Sequence, residues 1–159
     1  MFAYIEKIKE ISNRLLKESK VDLILGFRKG TVPMMNEPCF AKTPEDVDGF
    51  VWDSNCGINL ANYLANRKEK IGVVAKGCDS RNIVTHIIEN KIKRDQIIII
   101  GVPCKGMIDR HKIEAMFDTE IEAVAEAEGE IKVKGDGIDE TIDKKDVLQQ
   151  NCTICTHRN

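Results

Sequence analysis

The sequence predicts an α/β fold with a small, mostly parallel central sheet flanked by helices, and with extra strands at its periphery. Two short apolar runs, at residues 71–75 and 97–102, lie on either side of a helical stretch at 79–91. Apolar strands that do not alternate with polar residues and are joined by a helix are typical of parallel strands buried on both faces. The 42% hydrophobic and 31% charged content is ordinary for a globular chain.

The elements before the central strands are predicted from periodicity and turn residues. Apolar residues at spacings of three and four predict an amphipathic helix over residues 2–17. Residues 21–27 form an apolar run that predicts a buried strand, and the prolines in residues 31–42 restrict that stretch to an irregular or edge segment. Thr43, followed by a proline, predicts an N-cap and a short helix toward Phe50.

Later elements follow from the same signals. Residues 57–70 carry an apolar helical face, which would place Cys56 at or just before a helix N-terminus. A helix through Ile113 comes after the central strands. Residues 120–125 and 129–134 then predict a peripheral hairpin or added strands, since the second segment alternates apolar and polar residues.

Length and charge narrow the class of protein. The 159 residues fit a single α/β domain over 1–159, and a net charge of -2 gives no support to a nucleic-acid or anionic-membrane partner. Glu6, Lys7 and Lys9 interrupt the apolar core that an export signal would need, so we expect a cytoplasmic protein. The run at 97–102 is far shorter than the roughly 20 residues that span a bilayer.

Six cysteines are the most unusual feature of the composition: Cys39, Cys56, Cys78, Cys104, Cys152 and Cys155. In a reducing compartment such a surplus is more often metal-binding or catalytic than disulfide-forming. Cys78 and Cys104 each follow one of the predicted parallel strands, close to a glycine. Because ligands bind at the carboxyl ends of strands in open α/β sheets, we expect both thiols at a ligand site. Cys39 follows a proline in the edge segment and is interpreted as structural.

The C-x-x-C formed by Cys152 and Cys155 places two sulfurs about one turn apart, close enough to bind one metal centre. With Cys78 and Cys104 it supplies four thiolates, the number that a 4Fe-4S cluster or a structural zinc requires. Cys56 is an alternative ligand, because a helix N-terminus favours the thiolate. The pattern alone does not separate iron from zinc, and a redox dithiol is a further alternative.

Charged residues near the strand ends would suit a phosphate, but each is interpreted first as a solvated surface charge. They are Lys76, Arg81, Lys105 and Arg110. His157, two residues beyond Cys155, is a candidate for orienting a metal ligand. No residue is an obvious substrate acid or base, so we expect an electron relay rather than an autonomous catalyst.

Three segments resemble, in chain order, the beta subunit of the coenzyme F-420-reducing hydrogenases and its relatives in formate dehydrogenases. They are the residues from Asn36-Glu37-Pro38 through Thr43-Pro44-Glu45-Asp46, then Gly101-Val102-Pro103-Cys104-Lys105-Gly106-Met107, and Cys152-Thr153-Ile154-Cys155. The resemblance covers most of the chain from about Val21 onward. In that family a Pro-Cys after an apolar strand and a late C-x-x-C bind a 4Fe-4S cluster, and a flavin lies nearby.

The resemblance implies that Cys104, Cys152 and Cys155 bind the cluster, with Cys78 or Cys56 as the fourth ligand. It further implies FAD or FMN as a second cofactor. The leading hypothesis is therefore an iron-sulfur electron-transfer subunit or domain of an oxidoreductase. Its partners would be other subunits of a hydrogenase, formate dehydrogenase or heterodisulfide-reductase-like complex.

Two alternatives from other classes stay open. One is a zinc-stabilised structural or interaction domain that uses the same thiolates, and the other is a thiol-redox protein with Cys104 or the C-x-x-C as nucleophile. The sequence stops just past the C-x-x-C. We interpret this as the N-terminal part of a longer protein or as an end that a partner chain covers.

Overall fold

A four-stranded mixed sheet forms the centre of the computed structural model, which describes residues 2–127 and 129–156. Its strands are β1 (Leu23–Arg28), β2 (Glu37–Ala41), β3 (Ile71–Ala75) and β4 (Ile97–Gly101), in the spatial order β2-β1-β3-β4. Strands β1, β3 and β4 run parallel, and β2 pairs antiparallel with β1 at the edge. The predicted α/β class with a mostly parallel sheet is confirmed.

Helices cover the sheet and explain why its inner strands are apolar throughout. Helix α1 (Phe2–Lys17) packs against β1 and β3, and helix α3 (Gly77–Ile88) packs against β3 and β4. All five residues of β3 are buried, as expected for a strand covered on both faces. Across the described residues, the helices are all too short or too polar to traverse a bilayer.

The short helix α2 (Pro44–Asp48) begins as the sequence predicts. The Asp46 backbone N–H donates to Thr43 Oγ1 at 3.3 Å, and the Thr43 backbone N–H donates to Asp46 Oδ2 at 3.0 Å. This reciprocal capping box satisfies two donors that a helix start otherwise leaves without partners. The predicted N-cap is confirmed.

Residues 57–70 do not form the predicted helix. The chain makes a single 3-10 turn at Leu60–Tyr63, and Cys56 lies before it in an irregular segment. The Asn59 side chain starts the turn by accepting the Ala61 N–H at 3.0 Å. The 3-10 turn and the loop around it bury the apolar side chains of this stretch. Their spacing therefore arises from a compact loop and not from a longer helix. The prediction that Cys56 sits at a helix N-terminus is therefore wrong.

A second, antiparallel sheet lies after the central one and has its own small core. It comprises β5 (Ile121–Ala127), β6 (Glu130–Gly135) and β7 (Ile138–Asp143), in the order β5-β6-β7. Helix α4 (Arg110–Glu114) contributes the fully buried side chain of Ile113 to the same core. The predicted peripheral strands are confirmed. β7 was not predicted, because its six residues include only two apolar side chains.

Glu126 on β5 forms a buried ion pair with Lys144, just after β7, and accepts hydrogen bonds from Ser54 in the loop that follows α2. Lys144 Nζ lies 2.6 Å from Glu126 Oε1, and both side chains are less than a tenth exposed. The Ser54 backbone N–H and hydroxyl both donate to the other carboxylate oxygen of Glu126. Burial raises the pKa of Glu126, but the hydrogen bonds from Lys144 and Ser54 outweigh it and hold the pKa below its usual value.

We expect the Glu126→Gln variant to lose less stability than the wild type when the pH falls. A carboxyl whose pKa is depressed by folding stabilises fully above its unfolded pKa of about 4.3, and this stabilisation disappears as the pH falls through the folded pKa. Urea unfolding at about pH 7 and about pH 3 checks this. Glu140→Gln, at an exposed position on β7, is the control and should retain the wild-type pH dependence. Equal pH dependence in Glu126→Gln and the wild type would contradict the expectation.

Candidate metal centre

Four cysteine thiols line one cavity of about 380 Å³ at the carboxyl ends of β3 and β4. Cys78 lies in the first turn of α3, and Cys104 lies in the loop after β4. Cys152 belongs to helix α5 (Gln150–Thr153), and Cys155 follows that helix. The structure thus brings together the two strand-end cysteines and the C-x-x-C. Their binding of a metal stays a prediction.

The C-x-x-C reaches this cavity because two distant segments of the chain pair. Ile108 and Leu148 form an antiparallel bridge, and the Gln149 N–H donates to the Met107 carbonyl at 2.9 Å. This pairing carries α5 to the loop after β4, where the Met107 N–H donates to Cys152 Sγ at 3.4 Å. No local sequence signal marked this contact, since neither segment has the length or alternation of a predicted strand.

Backbone donors point at two of the thiols. Gly106 has a φ of 93°, a conformation that glycine adopts without the strain a side chain would cause, and its nearby N–H lowers the pKa of Cys104. The Met107 N–H donates a hydrogen bond to Cys152 Sγ at 3.4 Å. Hydrogen bonds of this kind favour the charged sulfur and recur around metal-bound cysteines. The loop after β4 is therefore shaped to support thiolates.

Two of the thiols, those of Cys104 and Cys78, have pKa values raised above the ordinary value of a cysteine. Burial is the main effect that raises the pKa of Cys104; the Gly106 N–H lowers it, the nearby Cys152 raises it and Lys76 lowers it. Burial also raises the pKa of Cys78, helped by Asp79 and Cys104 and opposed by Lys76. A metal must therefore displace protons from these thiols, because thiolates are the ligands.

A buried lysine forms part of the cavity wall. Lys76 is only 2% exposed, and its Nζ lies 3.0 Å from Asp79 Oδ2. It also donates to the carbonyl oxygens of Cys56 and Ile58, each at 3.0 Å. The interpretation of Lys76 as a solvated surface charge is wrong, because the lysine lies between a buried strand and a helix. Its signal in the sequence was the carboxylate three residues later at the start of that helix.

The two remaining cysteines lie away from the cavity wall. Cys56 is fully buried in the main core, where the Asn36 side-chain amide donates to its Sγ at 3.4 Å. Burial raises the pKa of its thiol to about 12. Cys39 is half-buried on β2, and burial raises the pKa of its thiol to about 11. His157 lies outside the described residues.

The thiols are distributed around the cavity rather than gathered about one point. Within residues 2–127 and 129–156, no three His, Cys, Asp or Glu side chains are grouped as ligands of a single metal ion. Cys104 and Cys152 pack against the main core, whereas Cys78 is exposed at the rim. One wall of the cavity is therefore buried and the other is open to solvent.

Comparison with known proteins shows a similar fold. No family model matches the sequence. A chain of the F-420-reducing NiFe hydrogenase complex from Methanosarcina barkeri has a TM-score of 0.70 and 15% sequence identity with this chain. The likeness is one of fold. It covers 93% of this chain and 58% of that chain, so this chain spans a little over half the length of its structural relative. The sequence resemblance is supported in part, as a likeness of fold to a chain of such a hydrogenase complex. Its assignment to the beta subunit stays a prediction.

Proposed function

We propose that this chain is an iron-sulfur electron-transfer module of a multi-subunit oxidoreductase, and that one 4Fe-4S cluster is bound by Cys78, Cys104, Cys152 and Cys155. The observation that carries the proposal is the lining of one cavity by these four thiols. Four cysteine thiolates are the usual ligand set of such a cluster. Cys56, the other candidate for the fourth ligand, lies in the core with its sulfur already hydrogen-bonded to Asn36.

The surroundings of the thiols fit a negatively charged centre. The Met107 N–H donates to Cys152, and the nearby Gly106 N–H lowers the pKa of Cys104. Among the described residues that line the cavity, two carry positive charge, Lys76 and Arg81, and none is a carboxylate. Four thiolates bring more negative charge than the iron-sulfide core of a cluster neutralises, so nearby cations and N–H donors stabilise the bound state.

When bound, the cluster would supply one-electron chemistry. The chain's own residues would hold it by four thiolates, and the buried wall with Cys104 and Cys152 would exclude water from one side. The exposed position of Cys78 leaves the opposite side accessible to another protein. This arrangement suits a relay that exchanges electrons with a partner.

The proposed partners are other subunits of a redox complex. The support is the fold that this chain shares with a chain of a hydrogenase complex. A formate dehydrogenase or a heterodisulfide-reductase-like assembly is compatible with the same chemistry. FAD or FMN as a second cofactor stays a proposal that rests on the sequence resemblance.

Anaerobic purification with iron and sulfide analysis tests the proposal. We expect about four iron and about four sulfide per chain, together with a broad visible absorption band that bleaches with dithionite. Reconstitution of the purified chain with iron and sulfide should give the same spectrum. A colourless protein with stoichiometric zinc would favour a structural role instead. A folded protein that binds neither metal, even after reconstitution, would favour a thiol-redox role.

A further inference from the structure

A buried ion pair lies at the junction of β3 and α3, next to the cavity that the thiols line. The side chains of Lys76 and Asp79 are 2% and 0% exposed, and their charged atoms lie 3.0 Å apart. Every donor of the Lys76 ammonium has a partner, because the Cys56 and Ile58 carbonyl oxygens accept the other two hydrogen bonds. Burying two charges costs free energy of desolvation, and the hydrogen bonds to this pair offset part of that cost. A role for the pair beyond stability would explain why it is buried.

Of the two residues in the pair, Lys76 lines the cavity and Asp79 does not. Lys76 belongs to the cavity wall, whereas Asp79 lies behind it and accepts the backbone N–H groups of Leu60 at 3.3 Å and of Lys76 at 2.9 Å. These two backbone N–H groups stabilise the negative charge of Asp79. A group bound in the cavity therefore lies against a wall to which Lys76 contributes.

Aromatic rings surround the ammonium and exclude water from it. Lys76 Nζ lies 5.0 Å from the centre of the Phe27 ring and 5.9 Å from the centre of the Trp52 ring. Rings at these distances attract a cation. They also make the local dielectric constant lower than that of water. A charge in such surroundings acts on its neighbours more strongly than a surface lysine does.

We propose that Lys76 is a positioning residue that raises the reduction potential of the cluster bound by the four thiols, and that Asp79 limits this effect. The inference rests on the proposed function. Reduction adds one negative charge to the cluster, so a fixed cation nearby stabilises the reduced form more than the oxidised form. A carboxylate nearby has the opposite effect.

A purely structural role makes a different prediction. Through Cys56 and Ile58, Lys76 also holds the irregular segment before the 3-10 turn against α3. If that were its whole role, neutral variants would change stability but would leave the potential of a retained cluster unchanged. A change in the midpoint potential, as opposed to no change, therefore separates the two roles.

The test compares three variants of the iron-loaded protein by redox titration monitored by electron paramagnetic resonance. Asp79→Asn keeps an acceptor for the Leu60 N–H and removes the negative charge, so the midpoint potential should rise. The double variant Lys76→Met with Asp79→Asn should have a lower potential than Asp79→Asn. Lys76→Arg keeps the charge and should stay close to the wild type. Lys9→Met, on α1, is the control and should not change the potential.

Equal potentials in Asp79→Asn and the double variant would overturn the inference, while the retained cluster would leave the proposed function standing. If the double variant does not fold, the comparison of Asp79→Asn with the wild type decides, and an unchanged or lower potential overturns the inference. A wild-type protein that cannot be loaded with iron would overturn the proposed function and this inference together.

Discussion

Replacing Cys104 with serine is expected to reduce the iron content of the protein severalfold. Cys104 lies near two other thiols of the cavity: Cys104 raises the pKa of Cys78, and Cys152 raises the pKa of Cys104. The substitution keeps the size of the side chain but removes the thiolate, which is the ligand that iron-sulfur clusters require. Iron and sulfide analysis after anaerobic reconstitution measures the loss.

The chain offers two matched controls for this substitution. Cys39→Ser changes a half-buried cysteine on β2, and Cys56→Ser changes a cysteine of the main core. Both should retain iron at the wild-type stoichiometry, although Cys56→Ser is expected to be less stable because it places a hydroxyl in the core. Wild-type iron content in Cys104→Ser would remove Cys104 from the ligand set. Loss of iron in a folded Cys56→Ser protein would restore Cys56 as a candidate.

Replacing Lys76 alone with methionine is expected to destabilise the fold by about 3–5 kcal/mol, the usual cost of removing one partner of a buried ion pair. The reason is that Asp79 would stay in the core without a counterion, at 0% exposure. The Cys56 and Ile58 carbonyl oxygens would also lose their donor. Urea unfolding of the metal-free protein, followed by circular dichroism, gives the change in the free energy of unfolding.

Two comparisons make this result specific to the pair. Lys76→Met combined with Asp79→Asn should be more stable than Lys76→Met, because the second change removes the isolated charge. Lys7→Met disrupts the exposed ion pair with Glu10 and should have little effect, since solvent screens such pairs. A wild-type urea midpoint for Lys76→Met would show that the pair adds nothing to stability.

The parallel pair of β3 and β4 was predictable because both strands are short apolar runs, and β3 is buried along its whole length. The runs at 71–75 and 97–102 are apolar without interruption, and the helix between them leaves little choice of connection. The position of Cys78 and Cys104 then follows from the chain direction alone. The parallel pairing of these two strands and the end of the sheet at which both cysteines lie are thus properties that local patterns can reveal.

The rest of the site depends on contacts that no local pattern specifies. The residues around Cys56 predict that it lies at the start of a helix. The apolar residues after it are instead buried with only one 3-10 turn. Lys76 reads as a surface charge, because its carbonyl acceptors and aromatic neighbours come from distant segments. The bridge between Ile108 and Leu148 pairs two segments too short to be recognised as strands.

The segment between Cys104 and Cys152 contains α4 and the whole β5-β6-β7 sheet. The N–H of Met107 and the sulfur that it contacts are 45 residues apart in sequence. Closing a loop of that length costs conformational entropy, and a folded sheet within the loop lowers that cost by bringing the loop ends together beforehand. The folded inserted sheet therefore favours the placement of the C-x-x-C beside the other thiols. Under the proposed function, the free energy of metal binding would further stabilise the closed loop.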